Sequence, residues 1–300
     1  MLERLPSGSR IAVIRLRSLG DCVLTTPALA LLKAYRPDLQ LSVVVEDRFR
    51  AVFEGNPDIA EILPPKASAI FGWRPRLALN LHGGTRSMAL TASSGAGIRA
   101  GFAHHRYSFI YTHQIPRAQE ILGEERKVHT VEHIASAMFW LGAPRVLIPR
   151  ARLMAGAPPR ISSGYAALHP FASNPDKTWP PEKFTSLARH LQEAGLEPVF
   201  LAGPGEDAGP FHGFRVWRNA PLSEVKNLIA GAQIFIGNDS GPAHIAAAVG
   251  IPSVVLFGSS DPITWAPWQT EARVLTSPGC IAEIEVGHVL AAAQSLKVTA

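Results

Sequence analysis

An α/β fold in two halves is what this sequence predicts, and three observations carry it. Residues 232–258 read as one complete strand–turn–helix–strand unit. An apolar run at 234–236 breaks at Gly237 and Asn238, an alanine-rich helical run follows, and a second buried strand spans 253–257. Short apolar runs of the same kind recur along the chain, several ending in a glycine-bearing turn that enters a helical pattern. Between Ala143 and Gly164 the periodicity stops in a proline- and arginine-rich stretch, and then the rhythm restarts. The expected division is an N-terminal domain over 1–150 and a C-terminal domain over 160–300.

Taken in order, residues 10–16 read as the first strand, 18–21 as a tight loop and 23–35 as a helix. Pro27 then falls in the first turn of that helix, where a missing N–H costs little. A second strand at 40–45, a short helix at 49–53 and a small strand at 59–63 follow, and 67–75 read as loop. The strand at 77–81 ends in His82-Gly83-Gly84-Thr85-Arg86-Ser87, a glycine-bearing turn into a helix over 88–93. Residues 98–102 and 107–112 look like edge strands, and 131–141 form an amphipathic helix closed by Gly142. In the second half, strands are expected at 166–169, 198–202, 214–217, 234–236, 253–257 and 272–275. Helices are expected at 181–193, 222–230, 241–249 and 284–296, the last a candidate to cross back onto the first domain.

Composition excludes several classes. Hydrophobic residues make up 47% of the 300 and charged residues 18%, which fits a globular protein with a large core. No apolar run has the length of a membrane span or a signal peptide, so the cytoplasm is the default location. Two cysteines, Cys22 and Cys280, argue against a disulfide scaffold or a cysteine-rich zinc site. The net charge of +5 suits an acidic substrate or an anionic surface, while no dense basic block with interleaved aromatics points to nucleic acid.

Four blocks carry chemistry. In Ser18-Leu19-Gly20-Asp21 a carboxylate follows a strand at a helix start, where it either caps the helix or serves as a general base. In Asn174-Pro175-Asp176-Lys177-Thr178-Trp179-Pro180 the lysine is either solvated or a point charge for a phosphate. Gly203-Pro204-Gly205-Glu206 either cradles a phosphate or sugar, with Glu206 accepting from ribose hydroxyls, or forms a turn with a cap. Asp239, Ser240, Gly241 and His244 lie beyond the carboxyl end of a buried strand, where a helix start offers N–H groups to anions. Rival motifs are missing. There is no Gly-x-x-x-x-Gly-Lys-Ser/Thr run, and no Gly-x-Gly-x-x-Gly follows the first strand. The sequence around Ser240 lacks the first glycine of a hydrolase elbow. His104-His105 and His129/His133 have no carboxylate or cysteine partner at a metal-site spacing, so neither a metal nor another cofactor is expected.

At this point the chain resembles a known family. The motif Ser18-Leu19-Gly20-Asp21 with Thr25-Thr26-Pro27, the blocks Lys177-Thr178-Trp179-Pro180 and Gly203-Pro204-Gly205-Glu206, and Gly237-Asn238-Asp239-Ser240-Gly241-Pro242-Ala243-His244 with Ala246-Ala247-Ala248 are similar to the ADP-heptose:lipopolysaccharide heptosyltransferases, glycosyltransferase family 9. The resemblance implies a GT-B fold, two Rossmann-like domains facing a cleft. It also implies inverting transfer of heptose from ADP-heptose to the lipopolysaccharide inner core, on the cytoplasmic face of the inner membrane, with peripheral membrane contact. Carried over residue by residue, Asp21 matches the catalytic base and Lys177 the phosphate-contacting lysine. Asp239, Ser240, Gly241 and His244 match the donor diphosphate loop, Glu206 matches a ribose contact, and Ser173 joins the donor-binding set. On the acceptor side Arg86, Arg99, His104, His105, Arg106 and Lys127 either meet acidic sugar or phosphate groups or are solvated charges. The family commonly has Asp where Asn80 stands, and the segment 218–222 is compressed where the adenine should lie. Three alternatives stay open: a transferase for another nucleotide sugar, a sugar-nucleotide epimerase, and a nucleotide-sugar-binding protein without turnover.

Overall fold

The computed structural model describes residues 1–161 and 163–296. The chain divides into two compact units between Met154 and Ala155, inside the proline- and arginine-rich stretch.

The first unit comprises β1 (Arg10–Ile14), α1 (Leu19–Tyr35), β2 (Gln40–Val44), β3 (Glu61–Leu63), α2 (Ala67–Trp73), β4 (Leu77–Asn80), α3 (Thr85–Ala92), β5 (Ile98–Phe102), β6 (His113–Ile115), α4 (Ala118–Leu122) and α5 (Thr130–Leu141). Its strands form one sheet in the order β3-β2-β1-β4-β5-β6, with every pairing parallel. Helices cover both faces of such a sheet, which is why all four residues of β4 are buried and the strand reads as an unbroken apolar run up to its terminal Asn.

Three local expectations are corrected. Helix α1 starts at Leu19, so Asp21 lies in its first turn and Pro27 in its interior. The N–H that Pro27 lacks would have bonded the carbonyl of Val23; the Thr26 hydroxyl donates to that carbonyl instead, at 2.8 Å. Residues 67–73 are helical rather than loop, because Ile70 and Trp73 stand one turn apart and pack on the cluster of Ala12, Ile14 and Leu16. The 107–112 stretch is not a strand. Ser108–Ile110 form a 3-10 turn, Tyr111 is buried and Phe109 stays exposed, and the strand begins at His113. Aromatic residues at every second position, Tyr107, Phe109 and Tyr111, imitate a strand there without one.

The second unit repeats the architecture with β7 (Tyr165–His169), α6 (Pro181–Glu193), β8 (Glu197–Ala202), β9 (Arg215–Arg218), α7 (Leu222–Ala230), β10 (Ile234–Asn238), α8 (Gly241–Val249), β11 (Ser253–Phe257), α9 (Pro262–Trp265), β12 (Ala272–Thr276) and α10 (Val286–Ser295). Its sheet order is β12-β11-β10-β7-β8-β9, again all parallel. The closing helix α10, a candidate on sequence to cross back, has α6, β11 and β12 of its own unit as packing partners. No helix among the described residues is long and apolar enough to cross a membrane.

Numbered from its own first strand, each sheet has the order 3-2-1-4-5-6, which reverses direction between the first and fourth strands. Loops leaving those two neighbours diverge to opposite faces and open a crevice at the carboxyl edge, where open α/β sheets bind ligands. The crevice lies between β1 and β4 in one unit and between β7 and β10 in the other.

Trp179 anchors the second crevice from below. It is fully buried, sits edge-on to Phe184 with ring centroids 4.9 Å apart, and donates its indole N–H to the Ile284 carbonyl at 2.9 Å. Trp179→Ala is expected to lower stability by about 3–5 kcal/mol, and Trp179→Phe by less because most of the apolar area remains. Urea unfolding followed by circular dichroism checks the order of the three proteins.

Candidate active site

At the second unit's edge, β7 ends at His169 and β10 at Asn238. The Asn238 amide is completely buried and bonds in two directions. Its Nδ2 donates to the Pro170 carbonyl at 2.8 Å, and its Oδ1 accepts the Trp179 N–H at 3.1 Å. The loop carrying Lys177 is thereby tied to the end of β10, and Lys177 Nζ reaches Asp239 Oδ2 at 3.3 Å. Gly258 sets the same loop from the other side. A methyl group there would fall 1.9 Å from the Asp176 carbonyl oxygen and 3.0 Å from Lys177 Cα, so only glycine lets β11 exit beneath this backbone.

The next residue along, Ser240, is the N-cap of α8, and its hydroxyl lies 3.0 Å from His169 Nδ1 and 3.1 Å from the Asn238 carbonyl. On the far side of the ring, His169 Nε2 faces Glu206 Oε2 at 3.8 Å, an electrostatic rather than a hydrogen-bonding distance. Burial pushes the Glu206 carboxyl up, but the His169 imidazole and the Gly203 N–H, which donates to Oε2 at 2.6 Å, outweigh it and hold the group below its ordinary value. No side chain caps the start of α8 and no acidic residue lies in its first turn. A helix start in that condition presents N–H groups and positive potential to an anion. His244 is buried one turn into α8, and Ser173 is exposed in the loop after β7.

In the first unit, Asp21 Oδ2 accepts from the Ser18 N–H at 3.3 Å and the Ser18 hydroxyl at 2.9 Å, as an N3 carboxylate does for an N-cap. Its other oxygen, Oδ1, lies 3.6 Å from Arg15 Nη1. Arg15 is buried directly beyond β1, and Cys22 lies beneath it, its thiol pushed up to about 12 by burial and so inert as a nucleophile. Across the crevice, Asn80 closes β4. Its Oδ1 accepts the N–H groups of His82 and Gly83 at 3.0 and 3.1 Å, and its Nδ2 donates to Ser87 Oγ at 3.1 Å. An Asp in this place has no N–H for Ser87, which accounts physically for the amide here. Gly83 takes φ +80, with His105 packed against the position a side chain would occupy.

Beyond β5 the imidazoles of His104, His105 and His133 surround Phe102, with His133 stacked on it at 4.2 Å. His133 is pushed down to about 4 by burial, then by His104 and Arg15. His105 is also near 4, through burial first and then His104 and Arg15. Among the described residues, no group of three or more His, Cys, Asp or Glu is arranged to hold a metal ion. A cavity lined by Met1, Glu3, Arg4, Leu5, Arg76, Ile98 and His113 opens at the amino ends of the strands, the edge opposite all these groups.

Residues 76–289 match glycosyltransferase family 9 (heptosyltransferase). The chain belongs to that family. Among curated family 9 relatives, lipopolysaccharide heptosyltransferase 3 of Escherichia coli is 28% identical over 287 residues, covering 83% of each chain. A family 9 glycosyltransferase from Veillonella parvula superposes with a TM-score of 0.84 at 22% identity, over 97% of both chains. Escherichia coli heptosyltransferase WaaC with ADP gives 0.80 at 19% identity, over 96% of this chain and 99% of that one. The fold is thus the GT-B type of the heptosyltransferases, and the protein is a glycosyltransferase.

Of the family 9 blocks read from sequence, the structure gathers Lys177, Asp239 and Ser240 at one crevice, with Glu206 linked through His169 and Gly241 opening α8. The basic residues read as acceptor contacts are scattered. Arg99 donates to the carbonyls of Ile110 and Ala96, Arg86 pairs with Glu46 at 3.4 Å, Arg106 lies over Tyr107, and Lys127 is exposed ahead of α5. Sequence reading missed Arg15, His82, His169 as a site residue, and the close approach at Gly258. Only Gly258 carried a signal, as the glycine that ends a buried strand.

Two outcomes follow. Gly258→Ala is expected to displace the Lys177 loop and lower the urea midpoint, because the added methyl group meets backbone rather than a flexible side chain. The second concerns acid. His105 and His133 have folded pKa values depressed from 6.5 to about 4, so the folded state holds fewer protons than the unfolded chain between those values. Their contribution is complete above pH 6.5 and is lost as pH falls toward 4. The urea midpoint of the wild type should drop across that window more steeply than that of His133→Gln.

Proposed function

We propose that this protein transfers heptose from ADP-heptose to an acidic, lipid-linked saccharide of the lipopolysaccharide inner core, with inversion at the anomeric carbon. The work is assigned to the cytoplasmic face of the inner membrane, with peripheral contact at the lipid surface. One observation carries the reading. Each switch-point crevice holds a cation–carboxylate pair, and the two pairs are oppositely oriented. In the second unit the carboxylate of Asp239 is the buried partner, 7% exposed, and Lys177 is the accessible one at 22%. In the first unit Arg15 is buried at 7% and the carboxylate of Asp21 is accessible at 26%. One crevice therefore offers a cation, as a diphosphate requires, and the other a base.

In this reading Asp21 takes the proton of the acceptor hydroxyl as its oxygen attacks the anomeric carbon and the bond to the departing ADP oxygen breaks. Lys177 and the N–H groups at the start of α8 hold the charge that develops on the diphosphate, with Asp239 fixing the lysine in place. Ser240 and His169 shape the loop, Glu206 meets the ribose, and Gly241, His244 and Ser173 complete the donor-binding set.

Lys177→Met is expected to weaken ADP binding by about 10–100-fold, the worth of a charge-assisted contact. Asp239→Asn weakens it less, because the lysine remains. Asp21→Asn keeps an acceptor for Ser18 and leaves ADP affinity intact, but transfer falls by about 10²–10⁴-fold. Calorimetry with ADP and a transfer assay on a Kdo-lipid A acceptor test all three. An active Asp21→Asn removes the base; equal loss of ADP affinity in all three variants removes the division of labour. A donor screen with UDP- and GDP-sugars tests the nucleotide, and conversion of a donor without acceptor would favour epimerisation.

A further inference from the structure

Arg15 is a buried cation whose bonding is incomplete. Its side chain is 7% exposed, yet the partner it reaches is one oxygen of Asp21, at 3.6 Å from Nη1. That distance is beyond a hydrogen bond. Its Nε is buried with no hydrogen-bond partner among the described residues. Asp21 cannot complete the guanidinium by itself, since its second oxygen is already committed to the Ser18 N–H and hydroxyl. Burial of an arginine is costly unless its donors are used, and the planar fork is suited to two parallel bonds with a carboxylate or phosphate. Burial pushes the guanidinium below its ordinary value, against the opposing pull of Asp21.

The surroundings are those of a ligand site rather than of a core. Arg15 leaves β1 at the switch point, and His82 leaves the neighbouring β4 with its Nδ1 buried and also without a partner among the described residues. Helix α3, which follows, has no side-chain cap and no acidic residue in its first turn. The nearby imidazoles of His82, His105 and His133 are all held toward the neutral form by burial first; Arg15 acts on all three as a fixed positive charge, and Arg17 adds a second beside His82. We propose that Arg15 is the anchor of an anion subsite that takes a carboxylate or phosphate group of the acceptor, beside the hydroxyl that Asp21 deprotonates. This deepens the proposed function and rests on it. An acidic acceptor approaching a catalytic carboxylate is repelled, and a guanidinium shared between the two removes the repulsion while fixing the acceptor's orientation.

The experiment uses the full chain and two probes, sodium acetate and inorganic phosphate, followed by the Arg15 Nε–H and His82 imidazole resonances. Saturable shifts are expected with at least one probe in the wild type and none in Arg15→Met. Acetate alone assigns the source as a sugar carboxylate, phosphate alone as a phosphorylated sugar or headgroup, and both as a subsite that takes either anion. In the transfer assay Arg15→Met should raise the acceptor KM by about 10–100-fold with ADP affinity unchanged, and Arg15→Lys should recover part of the loss. Removing one partner of a buried ion pair leaves the other charge uncompensated and can destabilise the fold, so melting temperatures of both variants verify folding. If Arg15→Met is unfolded, Arg15→Lys takes its place, with weaker anion binding and a raised acceptor KM as the expected result. No saturable shift with either anion, or an unchanged acceptor KM in a folded Arg15 variant, would overturn the subsite and leave Arg15 as the counter-ion of Asp21. The anion titration needs no turnover, so an active Asp21→Asn would defeat the base without touching the subsite.

Discussion

A fully buried side-chain amide at the end of the strand that borders each crevice governs the geometry of both. Asn80 closes β4 and Asn238 closes β10, and each is the last residue of the fourth strand of its own sheet. An amide carries an acceptor and two donors on one rigid plane, so it can satisfy backbone groups of opposite polarity from different loops. Asn238 does this for the Pro170 carbonyl and the Trp179 N–H. Asn80 joins two backbone N–H groups of the following turn to the side-chain hydroxyl of Ser87. These backbone groups lie where the ladder ends and water is excluded, so leaving any unpaired would cost more than the bond contributes. The amide therefore determines where the loops go, and the loops determine where Lys177 and His82 stand.

The charged pairs depend on that framework. A cation and a carboxylate at 3.3 or 3.6 Å gain little from each other in water and more at a half-buried edge, where one partner is fixed by the fold. In each unit the buried partner bears the desolvation cost and holds the accessible one in a defined direction. Lys177, on a flexible stem, needs this more than Asp21, whose carboxylate is already fixed by Ser18. The first unit constrains its turn at Gly83, against the His105 side chain, and the second at Gly258, against the Asp176 and Lys177 backbone.

The two sheets share a strand order without sharing an obvious sequence, and Asn80 and Asn238 show why. Order is imposed by right-handed crossovers and by burial on both faces, which many apolar sequences satisfy. What must match between the halves is the chemistry at the carboxyl edge, a few residues each.

Most of the strands and the four sequence blocks around Asp21, Lys177, Glu206 and Asp239 could be picked out because each is local. An apolar run reports burial, a glycine reports a turn, and a carboxylate or serine at a helix start reports a cap. Local reading erred where a pattern is ambiguous over a few residues. Tyr107 to Thr112 alternates like a strand and forms a turn, and the short helix at 67–73 hides between prolines. What only the tertiary structure decided is which loops meet. Lys177 and Asp239 are 62 positions apart, and His169 and Ser240 71. Strand order, which no periodicity encodes, brings each pair into contact. The buried state of Arg15 belongs to the same class. On the sequence it is one more basic residue after a strand, and it becomes an incompletely paired cation only when β2, β4 and α1 close around it and take its water away.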